Sequence, residues 1–252
     1  MFKKRTFYIL FFVFIFVSCN KKEKSDTLTL INRGSYSSRY IDGLQVFIKD
    51  NQVMDGYYVV GKDLIKWEEF ELKKGILNGS YITYHPNGKM SSNTQYRNGK
   101  MHGEEQLFYP SGELLKIVHY QNNKQVGEIK EFYEGGQIKK LSKIKDEKIY
   151  ESVFYNNVGN MVSQMFIKDG LRIRQNILEG KIFSEYTSST YDDNKTMKFY
   201  NQDGTVKKHL RMYENNNTPV IIELDENGEE KRRIDFQKNP EEAHQYLKLW
   251  KG

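Results

Sequence analysis

The chain has 252 residues, with 39 basic and 33 acidic side chains and a formal charge of +6. Three of the bases and none of the acids lie in the first 18 residues, so the remainder is close to balanced and holds no basic block of the kind that nucleic-acid binding needs. Eighteen Tyr and fifteen Phe against four Pro favour strands over disorder and over long helices, and the single cysteine, Cys19, excludes an intrachain disulfide or a cysteine-based metal site.

Lys3, Lys4 and Arg5 precede an unbroken apolar run of 11 residues, Phe7 to Val17. That is too short for a bilayer span, which takes about 20 residues, and suits the hydrophobic region of a secretory signal. Val17, Ser18 and Cys19 follow, and then a wholly polar stretch, 20–27. A small residue before a lone cysteine at the end of such a run resembles a bacterial lipobox; the departure is Phe16, where such boxes usually carry Leu or another aliphatic. The resemblance implies a signal peptide at 1–18, acylation of Cys19 and a membrane anchor through that lipid. Residues 19–27 are then a lipidated tether. Asn20, where Asp marks inner-membrane retention in some bacteria, implies the outer membrane of the cell envelope.

Residues 28–71 carry strand signals in an uneven register: Leu28 to Ile31, Leu44 to Ile48, Tyr57 to Val60, and Leu64 onward with Trp67 and Phe70. Asp42-Gly43 and Asp55-Gly56 mark turns. The expectation is a degenerate repeat that covers the first edge of a sheet.

From Leu72 a period of 24 residues takes over. Gly79, Gly103 and Gly127 are 24 apart, as are Gly88, Gly112 and Gly136, and as are Tyr84, Phe108 and Phe132. Self-similarity at a fixed period is the signature of a repeat architecture. Pro86-Asn87-Gly88, Pro110-Ser111-Gly112 and Glu134-Gly135-Gly136 close one turn per unit; Asn98-Gly99, Asn122-Asn123 and Asp146-Glu147 close the other. Two strands of about 5–7 residues with two turns account for the unit. Within it, alternation puts Met90, Ser92, Thr94 and Tyr96 on one face and Lys89, Ser91, Asn93 and Gln95 on the other, which predicts an antiparallel sheet with one apolar and one wet face. Tyr84, Tyr96, Phe108, Tyr120, Phe132 and Tyr155 form the aromatic stripe on this reading. It is either core or, in a single-layered sheet, a binding face.

The pattern decays through Tyr155, Gly159 and Met161, turns irregular over 172–198 with 187–195 as a loop, and returns around Gly204 and Gly228. The array is expected to span 72–235. Residues 236–252 read as a capping helix: Asn239 at the cap, Pro240 in the first position, Glu241 and Glu242 at the positive end, and Ala243, Tyr246, Leu247 and Trp250 as one apolar stripe. The fold class is thus all-β, an elongated antiparallel sheet of tandem hairpins ended by a short amphipathic helix that protects the last hairpins; the rival reading of that helix is a partner-binding element.

The unit Gly79 to Met90 followed by Tyr96 to Gly103 resembles the MORN-variant repeat, found in bacterial proteins often labelled YwqK-family antitoxins. The resemblance is best over 72–171. It implies hairpins laid side by side in a twisted sheet that serves protein contacts and, in some members, lipid contacts. Cofactor and catalytic motifs are absent: there is no P-loop, nucleophile elbow or dinucleotide fingerprint, and the five histidines show no metal-ligand spacing. The sequence therefore points to a non-enzymatic envelope lipoprotein that binds a protein partner, without cofactor or metal and without nucleic acid. The alternatives are an immunity protein that neutralises a toxin and a surface that binds glycan or lipid.

Overall fold

The computed structural model describes residues 29–251 apart from positions 64, 193, 216, 217 and 235. The expectations for the signal, Cys19 and the tether lie outside the described residues.

The chain begins with β1 (Thr29–Ile31), a 3-10 turn at Arg33–Ser35, and three short strands, β2 (Ser37–Ile41), β3 (Leu44–Lys49) and β4 (Gln52–Val53). A run of hairpins follows. It comprises β5 (Gly56–Lys62), β6 (Ile65–Lys73), β7 (Ile76–Tyr84), β8 (Met90–Arg97), β9 (Lys100–Phe108), β10 (Leu114–Gln121), β11 (Lys124–Phe132) and β12 (Ile138–Lys145). It continues with β13 (Lys148–Tyr155), β14 (Met161–Lys168), β15 (Leu171–Leu178), β16 (Lys181–Ser189), β17 (Lys195–Tyr200), β18 (Val206–Asn215), β19 (Thr218–Leu224) and β20 (Glu230–Ile234). Helix α1 (Pro240–Lys251) closes the chain.

Strands β5 to β20 pair each with the next in antiparallel fashion, and β1 adds in parallel beside β5, giving one sheet of 17 strands. β2, β3 and β4 make a separate three-stranded sheet. The meander thus begins at β5, ahead of the clear 24-residue spacing. Residues 171–200, whose sequence loses that spacing, still form β15, β16 and β17 in the same ladder, and the loop expected at 187–195 narrows to the connection between Ser189 and Lys195. Side-chain alternation and a tight turn suffice to hold a hairpin in an existing ladder even where the repeat residues have changed.

The two long edges of the sheet differ. On one edge the turns are two residues long, with both residues at positive φ at Lys74-Gly75, Asn98-Gly99, Asn122-Asn123, Asp146-Glu147 and Asp169-Gly170. This is the conformation that matches the twist of the flanking strands. On the other edge wide turns recur, five residues from His85 to Lys89 and again from Tyr109 to Glu113, although β15–β16 closes there with the two-residue turn Glu179-Gly180. The wide turns interlock: the Tyr109 hydroxyl donates to the Phe132 carbonyl at 2.8 Å and the Tyr133 hydroxyl to that of Tyr155 at 2.8 Å. Gly103 serves neither edge. It lies inside β9 at φ +111°, and a Cβ there would stand 3.0 Å from the Gln95 Cβ, so this repeat glycine lets the preceding strand's side chain cross it.

Residues directly opposite across the ladder share a face. One such row runs Phe70, Tyr81, Thr94, Glu105, Val118, Ile129, Ser142 and Ser152. It continues through Met165, Arg174, Tyr186, Met197 and Leu210. Both accessory layers sit on this face. At the N-terminal end Phe47 and Met54 of the small sheet and its flank pack with Val60, Phe70, Leu72 and Leu77, and the Phe47 amide donates to the Gly75 carbonyl at 2.8 Å. At the C-terminal end Ala243 and Tyr246 of α1 pack on Met197, Leu210, Met212, Ile221 and Ile234. Leu247 packs at the margin, and the Trp250 side chain lies outside the described residues. The helix therefore lies on the face of the last four strands. Edge strand β20 carries its own protection in Glu230, Lys231, Arg232 and Arg233. Likewise the N-terminal segment covers a face, while the first edge is β1.

Between the two caps the row narrows to Val118, Ile129, Ser142 and Ser152, all nearly inaccessible. The Ser142 and Ser152 hydroxyls bond to each other at 2.8 Å. Ser142→Ala strands one buried hydroxyl and is expected to cost about 1–2 kcal/mol, whereas the double change to alanine removes both partners and costs less than the sum of the singles. Urea unfolding of the four proteins in the cycle checks this; strict additivity would mean that the bond contributes nothing.

Candidate interaction surface

The six aromatic residues of the stripe do not share one face. Beside each wide turn the ladder shifts register by one residue: Thr83 pairs with Ser92 but Tyr84 with Met90, Leu107 with Lys116 but Phe108 with Leu114, Glu131 with Lys140 but Phe132 with Ile138. The bulge at Ser91, Leu115 and Lys139 reverses the alternation beyond it. Tyr96 and Tyr120 alternate with Thr94 and Val118 and so belong to the capped face, where the Tyr96 and Tyr81 rings are 6.3 Å apart and the Tyr120 hydroxyl donates to Glu105 Oε2 at 3.1 Å. Tyr84, Phe108, Phe132 and Tyr155 lie on the opposite face, along the wide-turn edge, together with Met90, Leu114, Ile138 and Met161 across the ladder. Strict period-two counting missed this because one inserted residue flips every side chain after it.

That opposite face carries no further layer among the described residues. Its apolar rail by the wide turns is partly exposed at Tyr84, Phe108, Phe132 and Tyr155 and more open at Ile138 and Met161. A middle row of Asn93, Gln106, Ile117, Lys130, Leu141 and Val153 follows. Beyond it stands a charged row with Glu104, His119, Glu128, Lys143 and Glu151. His119 Nε2 is 3.5 Å from Glu104 Oε2, and Lys143 Nζ is 3.0 Å from Glu151 Oε1. The surface is graded across its width, from apolar to charged, and repeats along its length.

Sequence reasoning missed one buried cluster. Glu68 and Glu69 are consecutive, so the strand turns them to opposite faces, and both are 6% exposed. Glu68 takes hydrogen bonds from Arg33 Nε at 3.2 Å, from the Tyr36 hydroxyl at 3.1 Å and from the Tyr81 hydroxyl. Glu69 takes them from Lys66 Nζ at 2.8 Å, from the Tyr84 hydroxyl at 2.5 Å and from the Tyr57 hydroxyl. Each carboxylate is neutralised and satisfied; Glu68 ties the N-terminal segment to the sheet, and Glu69 ties β5, β6 and β7 to one another on the opposite face. Burial first, and then the Glu68 charge and hydrogen bond, push Tyr36 up to about 12; burial and the same carboxylates also raise Tyr81 and Tyr84. A phenol raised in the fold contributes stability below the unfolded value of about 10 that is lost as pH rises past it. The urea midpoint is therefore expected to fall from about pH 10 upward, and to fall less steeply in Tyr36→Phe. A midpoint that stays flat through that range would remove the argument.

No group of His, Cys, Asp or Glu among the described residues could hold a metal ion, and no described helix is long and apolar enough to cross a membrane. Comparison with known families matches the MORN repeat variant at residues 77–98, 101–122 and 125–146. Each match covers one hairpin closed by a wide turn, β7–β8, β9–β10 and β11–β12. No curated protein matches the chain. Three consecutive hairpins of the chain thus match the MORN repeat variant, and the sheet continues on both sides of them as further antiparallel hairpins.

Proposed function

We propose that this protein is a lipid-anchored envelope scaffold, without catalytic activity, whose uncapped sheet face docks a protein partner. The observation that carries the reading is the placement of both accessory layers on one face. The other face is left uncovered along the array, with Tyr84, Phe108 and Phe132 recurring once per hairpin beside a charged row. A periodic surface that is apolar on one side and charged on the other suits an elongated partner read at several points. The Cys19 signal supports tethering of this surface at a membrane.

The test is site-specific photo-cross-linking in the native envelope from Phe108 and Phe132, with the partly exposed Lys116 and Tyr120 on the capped face as controls. A protein captured from the first pair and not the second supports the reading. If the captured protein is a toxin whose activity is blocked, the immunity alternative holds instead. If nothing is captured while glycans or anionic vesicles bind the purified protein, the surface serves those ligands. Fatty-acid labelling that survives Cys19→Ser would end the lipoprotein part of the proposal.

A further inference from the structure

The apolar rail of the open face has a period. Tyr84, Phe108, Phe132 and Tyr155 are the last residues of β7, β9, β11 and β13. Neighbouring strands lie about 4.8 Å apart, so these rings recur every ~9.6 Å. Across the ladder from them stand the slimmer Met90, Leu114, Ile138 and Met161, the first residues of the intervening strands. Ile138 is 39% exposed and Met161 41%. The rail is thus a row of ring ridges with open notches between them. The row of four rings ends at β15, where the ring position is held by Ile177, paired with Ile182 and 6% exposed.

Each regular backbone conformation returns a side chain to one line at its own length. An α-helix does so after seven residues, about 10.5 Å, and slips by ~1 Å at every ring. A β-strand does so at about 6.7 Å and misses the rings altogether. A polyproline II helix has three residues per turn and rises about 3.1 Å per residue, so every third side chain returns after ~9.3 Å. Over the three intervals from Tyr84 to Tyr155 its mismatch with the rail adds up to only ~1 Å, less than half a residue.

We infer that the occupant of the open face is a proline-rich segment of the partner in the polyproline II conformation, lying across the strands with every third residue in a notch between rings; this rests on the docking reading proposed above. Proline packs flat against aromatic rings, and a chain already held in this helix loses little entropy on binding. Such a helix makes no hydrogen bonds of its own, so its carbonyls take donors from outside. Asn93, Gln106 and Lys130 stand beside the rail in the middle row. Glu104 and Glu128 lie four residues along the strands from Phe108 and Phe132, and are themselves one period apart. That is about 13 Å from the rail, so a chain seated over the rail and the middle row reaches them with a long basic side chain. The segment therefore carries Lys or Arg at every third position, in phase with its prolines. The four rings bound its length at ~29 Å, or about nine or ten residues.

The experiment titrates the full chain, in detergent micelles, into the fluorescein-labelled peptide (Pro-Pro-Lys)4 and follows anisotropy. Two peptides serve for comparison. (Gly-Ser-Lys)4 keeps the charge and loses the helix; (Pro-Pro-Lys)2-Pro-(Pro-Pro-Lys)2 keeps both and loses the phase. (Pro-Pro-Lys)4 is expected to bind roughly tenfold tighter than either. Affinity should rise from two triplets to about four and level off beyond, where the rings end. Phe132→Ser and Ile138→Asp are expected to weaken binding roughly tenfold, and Lys116→Ala on the capped face to leave it unchanged. Glu128→Lys, a partly exposed change verified as folded by circular dichroism, should weaken (Pro-Pro-Lys)4 and favour (Pro-Pro-Glu)4. Absence of binding, equal binding of (Gly-Ser-Lys)4, indifference to the inserted proline, or binding that survives both Phe132→Ser and Ile138→Asp would overturn the proposal. If cross-linking from Phe108 and Phe132 captures a protein while (Pro-Pro-Lys)4 fails to bind, the docking face stands and the proline-rich occupant falls. A captured partner without a proline-rich segment overturns it equally.

Discussion

Deletion of residues 239–252 is expected to lower the unfolding midpoint by about 10–20 °C and to send the protein toward aggregation. Helix α1 is the cover of a real core: Leu210 and Ile221 are fully buried, Ile234 is 2% exposed, and Ala243 and Tyr246 lie on them. Uncovering three such side chains at roughly 1.5–3 kcal/mol each costs on the order of 5 kcal/mol. Arg232 strengthens the seat by bridging Glu223 at 2.9 Å and Glu242 of the helix at 2.6 Å. In an array where each hairpin touches its neighbours, the loss should be local. Hydrogen exchange should accelerate in β17 to β20 and remain slow around Val118 and Ile129. A truncated chain with unchanged melting and solubility would mean that the helix belongs to a partner and not to this sheet.

The array was legible because turn chemistry and period act locally. Asn98-Gly99 and Pro86-Asn87-Gly88 need no long-range information to specify a turn, and the repeat copies them. The terminal helix was legible for the same reason, in the cap at Asn239 and the stripe of Ala243, Tyr246 and Leu247. What the sequence hid depends on register. The bulges at Ser91, Leu115 and Lys139 leave no mark in composition, yet they move Met90, Leu114 and Ile138 away from the face of Tyr96 and Tyr120 and set them beside Tyr84, Phe108 and Phe132. Equally hidden was which layer a short strand joins. β3 and β5 read alike as apolar runs, but β5 enters the long ladder while Phe47 of β3 folds back over Phe70. The paired carboxylates Glu68 and Glu69 gave no local signal, because their partners Tyr36, Tyr81 and Tyr84 come from other segments of the chain.

Replacement of Phe70 by alanine is expected to cost about 3–5 kcal/mol, the range for a fully buried aromatic ring. The ring is inaccessible to solvent and touches four others, with centroids 5.3 Å from Phe47, 5.7 Å from Tyr36, and 5.9 Å from both Tyr58 and Tyr81. It is the contact that binds the small sheet to the long one, so its loss should release β2, β3 and β4 before the ladder itself melts. Tyr36 then withdraws from Glu68, leaving that carboxylate short of a donor and adding to the cost. Phe70→Leu keeps most of the apolar contact and is expected to cost no more than half as much. Denaturant unfolding followed at Trp67, which packs at the margin of this cluster, reads the effect directly. A Phe70→Ala protein that loses less than about 1 kcal/mol would show that the small sheet is held by its backbone ties to Gly75 rather than by this core. If instead the loss is large but β17 to β20 keep their exchange protection, the two caps stabilise their own ends independently, and the single-layered middle between them stands on neighbour contacts alone.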